Sequence, residues 1–121
     1  MTKITAWLLN DYDKMIFLDA NTLVLKPCDE LFNYSELSAV PDNHWPDIFN
    51  SGVFVLEPNE QTYHELLSLS MESGSFDLAD QGLLNTYFSD WFLDRDKHLP
   101  GIYNCGTLAS WSDCYGYQRL V

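Results

Sequence analysis

Tyr12–Leu25 reads YDKMIFLDANTLVL, and the reading of the fold starts there. Met15–Leu18 is apolar throughout, which suits a strand buried on both faces of an α/β sheet. It stops at Asp19-Ala20-Asn21, two short polar side chains around a small one, before a second apolar run, Thr22–Leu25. Polar groups at the carboxyl end of a buried strand lie where open α/β sheets hold their ligands. In extended chain Asp19 and Asn21 project to the same side, and oxygens so placed suit a hard divalent cation. Asp and Asn are also common turn formers, and from spacing alone a turn closing the strand is the favoured reading.

Composition bounds the rest. A chain of 121 residues is long enough for one domain with a real core. Apolar residues make up 46% and aromatic residues 15%, which excludes a disordered chain. Six Lys and Arg stand against 18 Asp and Glu, a formal net charge of -12. Such a field repels nucleic acid and anionic membranes, so neither is expected as a partner. An anionic small molecule needs a local cation to bind here. Cys28, Cys105 and Cys114 form no CxxC pair and read as small buried or half-buried residues. With no amino-terminal signal sequence and no apolar run of about 20 residues, a reducing cytoplasmic setting is expected.

Neither repeats nor Gly/Ser linkers divide the chain, so 1–121 is read as one unit. Ile4, Trp7, Leu8 and Tyr12 recur at helical intervals, which predicts a helix over Lys3–Tyr12 packed on the sheet. Cys28–Asn33 reads as a single helical turn with Leu31 and Phe32 inward, and Leu37–Val40 as a short strand. Pro41–Pro46 is a loop carrying His44 and Trp45. Phe49-Asn50-Ser51-Gly52 then precedes Val53–Leu56, a second all-apolar strand. Gly52 at a strand entrance permits close approach of a ligand or backbone, and a bulge explains it equally well. Asn59 can cap a helix to about Glu72, with Tyr63, Leu66, Leu67, Ser70 and Met71 on one face and Gly74 as its stop. A further helix runs through about Trp91, with Asp77 and Asp80 near its start as capping residues or as acceptors of sugar hydroxyls. Gly101–Tyr103 looks strand-like. Strands alternating with helical segments argue for an α/β layered fold.

The ordered runs YDKMIFLDANTLVL, DELFNYSELSAVPD, WPDIFNSGVFVLEP, QTYHELL, GSFDLADQGLLNTYF and KHLPGIYN resemble the glycogenin-like glucosyltransferases of glycosyltransferase family eight. The resemblance extends from about Lys3 to Asn104. It implies a GT-A (Rossmann-like) nucleotide-sugar transferase fold that binds UDP-glucose and Mn2+ and passes glucose to a protein tyrosine or a growing glucan, priming glycogen synthesis. By that resemblance Asp19, Ala20 and Asn21 fall on the family's DxD motif, which meets the UDP ribose and the metal, and Lys3 on a basic residue that contacts the donor. Asn50 and Ser51 fall near donor glucose and acceptor. Asp77, Asp80 and Gln81 match the set that holds the glucose hydroxyls, with Asp80 and Gln81 as the catalytic residues. Such chemistry leaves negative charge on the departing diphosphate, which a divalent metal stabilises as a Lewis acid. Carboxylates and amides fix the sugar and offset positive character near its C1.

The sequence departs from the family pattern in four places. Asn21 stands where the family has its second metal-binding Asp, which weakens the expected metal site. The family's third ligand, a His, matches none of His44, His64 and His98; the run holding His98 is read as structural. The chain begins where the family has completed its amino-terminal nucleotide-binding strands, so a single partial domain over 1–121 is expected. The glucosylated tyrosine of the family falls at Trp111, with Tyr115 and Tyr117 nearby. The expectation is therefore a truncated glycogenin-like transferase with little or no activity alone, functioning as a homodimer or paired with an intact enzyme. The alternative is a catalytically inactive paralogue serving as a binding or oligomerisation module.

Overall fold

Three strands, Met15–Leu18 (β1), Ser38–Pro41 (β2) and Phe49–Leu56 (β3), form one sheet in the order β1-β3-β2. A computed structural model describes residues 3–19, 24, 26–42, 47–73 and 79–104. β3 pairs antiparallel with both neighbours, Met15 with Leu56 and Leu18 with Val53 on one side, Ser38 with Val55 and Ala39 with Phe54 on the other. Its all-apolar half is central because only a strand covered on both faces and both edges can bury consecutive side chains. Val53, Phe54, Val55 and Leu56 are all buried.

Alternation along β3 divides the core between two faces. Phe54 and Leu56 turn to a large cluster with Ile4, Trp7, Leu66, Leu84 and Trp91. Val55 turns to the other side, against Leu31, Val40 and Leu99. The first face is covered by a 3-10 helix at Lys3–Leu8 and by two α-helices, Glu60–Ser73 (α1) and Ala79–Tyr87 (α2). Trp7 stacks at 5.8 Å on Phe54 and at 6.0 Å on Phe88, joining the first helix to the sheet. Asn59 Oδ1 accepts from Gln61 N at 2.8 Å and Thr62 N at 3.2 Å, so the cap expected at the head of α1 is in place.

The chain is thus a mixed α/β domain with an open three-stranded sheet. Several local expectations are corrected. β1 is an edge strand, half-buried along Met15–Phe17 and exposed at Leu18, rather than covered on both faces. The opening helix is a 3-10 helix ending at Leu8, and Tyr12 is exposed. Phe32 and Met71 face solvent, Met71 because it lies off the seam of Leu66 and Ser70 at about 100° per residue. The helix expected through Trp91 ends at Tyr87, and a 3-10 helix continues over Ser89–Leu93. Gly101–Tyr103 is a 3-10 turn, not a strand. Phe49–Gly52 belongs to β3 itself instead of preceding it. Thr22, Leu23, Leu25, His44, Trp45, Gly74, Cys105, Trp111, Cys114, Tyr115 and Tyr117 lie outside the described residues.

Candidate functional site

One end of the sheet gathers polar side chains. Because β3 runs antiparallel to both neighbours, its amino end lies beside the carboxyl ends of β1 and β2. Asp19 follows β1, Asp42 follows β2, and Asn50, Ser51 and Gly52 lie in the first half of β3. Lys3 reaches in from the head of the first 3-10 helix and Gln81 from the first turn of α2. Asn104 arrives just after the turn at Gly101–Tyr103.

The contacts run without a break. Asp19 N donates to Gly52 O at 2.9 Å, which carries the pairing one residue past β1. Lys3 Nζ lies 3.2 Å from Asp19 Oδ1 and donates to Ser51 O at 2.9 Å and Ser51 Oγ at 3.0 Å. Its ammonium also stands 5.5 Å from the centroid of the Phe17 ring, whose face attracts a cation. Gln81 Oε1 accepts from Ser51 N at 3.2 Å, and Gln81 Nε2 donates to Asp42 Oδ1 at 3.3 Å. The same oxygen accepts from Asn50 Nδ2 at 3.1 Å. Asn50 Oδ1 in turn accepts from Gly52 N at 2.9 Å and from Asn104 Nδ2 at 2.8 Å. Asp19, Lys3, Ser51, Gln81, Asp42, Asn50 and Asn104 therefore form one connected set.

A backbone irregularity makes room for it. The β2–β3 register shifts between the Ala39–Phe54 and Pro41–Phe49 pairs, so the extra residues of β3 fall on the stretch holding Asn50, Ser51 and Gly52. A bulge re-aims side chains that a regular strand would send into the core. Both expectations for Gly52 hold together. It sits in the bulged stretch, and a Cβ there would stand 3.0 Å from Asn50 Oδ1 and 3.2 Å from Asn104 Nδ2. Asn85 anchors the start of β3 to α2: its Oδ1 accepts from Phe49 N at 2.9 Å, and its Nδ2 donates to Phe49 O at 2.9 Å and Gln81 O at 2.8 Å.

Of the residues singled out by sequence, Lys3, Asp19, Asn50, Ser51 and Gln81 come together here. Ala20, Asn21 and Asp77 lie outside the described residues, as does the side chain of Asp80, which belongs to the first turn of α2. Sequence reading missed Asp42 and Asn104. Asp42 had the same signal as Asp19, a carboxylate directly after a short apolar strand, and Asn104 had none.

Cation binding has a limited donor set among the described residues. Among the described residues no group of three or more His, Cys, Asp or Glu is placed to hold a metal ion. Among them Asp19 supplies one carboxylate, with an oxygen already turned to the Lys3 ammonium, and a hard divalent cation would need further oxygen ligands beside it. The two described histidines lie elsewhere. His98 stacks on Trp91 at 4.0 Å with its Nε2 3.0 Å from Trp91 O, in agreement with a structural role, and His64 is exposed on α1 beside Glu60. An open groove of about 710 Å³ on α1, lined in part by Glu60, Glu65 and Tyr87, shares no residue with the connected set. Among the described residues no helix is long and apolar enough to cross a membrane.

Comparison with known proteins bears on this site. The family model of glycosyl transferase family 8 matches residues 2–115. The chain is 55% identical to glycogenin-1 of Mus musculus over 113 residues, 93% of this chain and 34% of that protein. It is 57% identical to glycogenin-2 of Homo sapiens over 108 residues, 88% of this chain and 22% of that protein. It is also similar to the putative UDP-glucuronate:xylan alpha-glucuronosyltransferase 5 of Arabidopsis thaliana, 43% identical over 135 residues covering 94% of this chain and 23% of that protein. The chain spans about a third or less of the length of these relatives.

Proposed function

The chain belongs to glycosyl transferase family 8, and from that premise we propose that it is the donor-sugar part of a glycogenin-like transferase of the GT-A fold. The whole activity it serves is transfer of glucose from UDP-glucose to a protein tyrosine or growing glucan in a cytoplasmic setting. Residues 1–121 form a single partial domain of that enzyme. The observation supporting the reading is the connected set at one end of the sheet, which joins Asp19, Lys3, Ser51, Gln81 and Asn50.

Each member has a task that its chemistry suits. Lys3 is the cation of the set, and its ammonium offsets negative charge gathering on a departing diphosphate. Ser51 holds that ammonium in place through its carbonyl and hydroxyl oxygens. The carboxamides of Asn50 and Gln81 offer donors to sugar hydroxyls. By family resemblance Asp77 and Asp80 join Gln81 in the set that receives the glucose hydroxyls, with Asp80 and Gln81 as the catalytic residues. Asp19 and Asn21 are the residues that would hold a divalent cation, which when bound supplies Lewis-acid stabilisation of the leaving group.

Electrostatics favour a neutral hexose over a uronic acid. The Arabidopsis relative is named for UDP-glucuronate, whose sugar adds a carboxylate. Here the set holds two carboxylates, Asp19 and Asp42, against the single ammonium of Lys3, in a chain of net charge -12. A second anionic group at the sugar is poorly matched to that field.

Titration of the 121-residue chain with UDP-glucose and Mn2+ tests the reading by calorimetry. Saturable binding that is weaker for UDP-glucuronate is expected, with little or no UDP release. Equal affinity for both donors, or no binding of either, would overturn it. A second reading, an inactive paralogue acting as a binding or oligomerisation module, draws on the amide at Asn21 in place of a carboxylate. Stable association with an intact family member in sedimentation, without donor binding, favours that second reading.

A further inference from the structure

We propose that Asp42 is a positioning residue for the donor sugar, setting which way the carboxamides of Asn50 and Gln81 face. The proposal rests on the donor-site reading given above. Asp42 is fixed by its own backbone, since its N–H donates to Ile48 O at 2.9 Å directly after β2. One carboxylate oxygen, Oδ1, then takes the NH2 of Asn50 at 3.1 Å and that of Gln81 at 3.3 Å.

An ionised carboxylate accepts and cannot donate, so only the NH2 end of a carboxamide can face it. That single constraint sets both amides. With its nitrogen toward Asp42, Gln81 must present Oε1 to the N–H of Ser51, as it does at 3.2 Å. Asn50 must present Oδ1 to Gly52 N and Asn104 Nδ2, as it does at 2.9 and 2.8 Å. Flipping either amide would set its carbonyl against the carboxylate and its NH2 against N–H donors, those of Ser51 for Gln81 and of Gly52 and Asn104 for Asn50. Each NH2 carries two hydrogens and gives one to Asp42. Among the described residues the second hydrogen of each meets no acceptor, so the pair can present a donor surface to the hydroxyl oxygens of a sugar. The charge of an ionised carboxylate strengthens each bond to Asp42 over a neutral acceptor at the same distance.

Two variants and two readouts test this on the full 121-residue chain. Asp42→Ala removes the shared acceptor, while Asp42→Asn keeps a neutral carbonyl that can still take both NH2 groups. In 1H–15N spectra the side-chain NH2 signals of Asn50 and Gln81 are expected to shift upfield together in Asp42→Ala and to stay near their original positions in Asp42→Asn. Affinity for UDP-glucose should fall roughly tenfold or more in Asp42→Ala and recover in large part in Asp42→Asn. A merely structural role would lower thermal stability without moving those two amide signals as a pair. Unchanged NH2 signals in Asp42→Ala would overturn the clamp. Shifted signals with unchanged donor affinity would overturn its role in recognition. If the unsubstituted chain fails to bind UDP-glucose, the donor-site reading falls and takes the recognition role with it, while the amide signals still report separately on the clamp.

Discussion

The Lys3 ammonium stands 3.2 Å from the Asp19 carboxylate and is held there by two oxygens of Ser51, so the cation at the end of the sheet is tied to both β1 and β3. Its side chain is 12% exposed and that of Asp19 34%. Lys3→Met keeps the stem beside Phe17 and deletes the charge. Stability should fall by about 1–3 kcal/mol, because Asp19 can rehydrate while the nearly buried Ser51 loses the donor to its carbonyl and hydroxyl oxygens. UDP-glucose affinity should drop at least tenfold, and most of the loss should persist at high salt, because a largely buried ammonium is screened little. Calorimetry at low and high ionic strength checks both statements; unchanged affinity at low salt would remove Lys3 from the site.

Gly52 is constrained by its neighbours' side chains rather than by its backbone angles. A Cβ would arrive 3.0 Å from Asn50 Oδ1 and 3.2 Å from Asn104 Nδ2, tighter than ordinary contact. Gly52→Ala should therefore break the Asn50–Asn104 hydrogen bond while leaving the β1–β3 pairing intact. A stability loss of about 1 kcal/mol is expected, together with a larger proportional loss of donor affinity. Urea unfolding alongside calorimetry separates the two. Full retention of affinity would mean that Asn104 plays no part in the site.

Asn85 takes the place of a neighbouring strand for Phe49, which is fully buried. Asn85→Ala strips these partners from the N–H and the C=O of Phe49 at once. Two buried backbone groups left without their partners cost about 2–4 kcal/mol together. Asn85→Asp keeps the acceptor for Phe49 N and sets a carboxylate against Phe49 O, so it should not rescue. Denaturant midpoints of the two variants give the result, and wild-type stability in either would contradict this account of how α2 is fastened to β3.

Strand positions were legible because apolar runs of strand length report burial directly, and Met15–Leu18 lies where its sequence put it. Its exposure was not legible. MIFL reads as central or as edge depending on neighbours that lie elsewhere in the chain, and β3 took the centre with the longer run, FNSGVFVL. Short 3-10 segments were the least visible. Gly101–Tyr103 carries Ile and Tyr, both common in strands, yet it follows Pro100 and turns.

Within the site, Asp19, Asn50, Ser51 and Gln81 carried signals in their local wording. Asp42 shared the strand-end pattern of Asp19 and was passed over because its neighbour on the sheet, Asn50, is fixed by the β2–β3 register and not by sequence distance. Asn104 reaches Asn50 only through the path of the segment after His98, which pairs with Ala39 at the β2 edge. No local pattern encodes such a meeting.

Metal affinity offers a separate check on the site. On the proposed reading Asn21 would offer a divalent cation a neutral oxygen where a carboxylate would add full Coulomb attraction, and Asp19 already faces an ammonium. The 121-residue chain should bind Mn2+ weakly, and Asn21→Asp should tighten binding at least tenfold by calorimetry. Identical affinities would show that position 21 does not share a cation with Asp19.

One contribution to the pH dependence of stability comes from Glu36, which precedes β2 at the opposite end of the sheet from the connected set. Its Oε2 accepts from Trp7 Nε1 at 2.8 Å and Glu57 N at 2.7 Å, and its own N–H donates to Glu57 Oε2 at 3.0 Å. Burial pushes the Glu36 carboxyl above the ordinary range; the Glu57 charge adds to that, while the two N–H donors and Lys97 pull the other way without prevailing. A raised folded pKa means that the native state binds its proton more tightly than the unfolded chain does. Between about 4.3, the ordinary glutamate value, and the raised folded value, the native state holds more protons, so this contribution to stability falls as pH rises. It is fully present below that window and gone above it. Glu30 and Glu65 act in the opposite sense, since hydrogen bonds from Tyr103 and Tyr87 lower their carboxyls. Glu36→Gln keeps an oxygen for both N–H donors and removes the titration. The stability difference between wild type and Glu36→Gln, from urea unfolding at steps between about pH 4 and pH 7, should shift in favour of the variant as pH rises. A difference that is flat across the range, or that moves toward the wild type, would mean that Glu36 is not the buried group whose ionisation opposes folding.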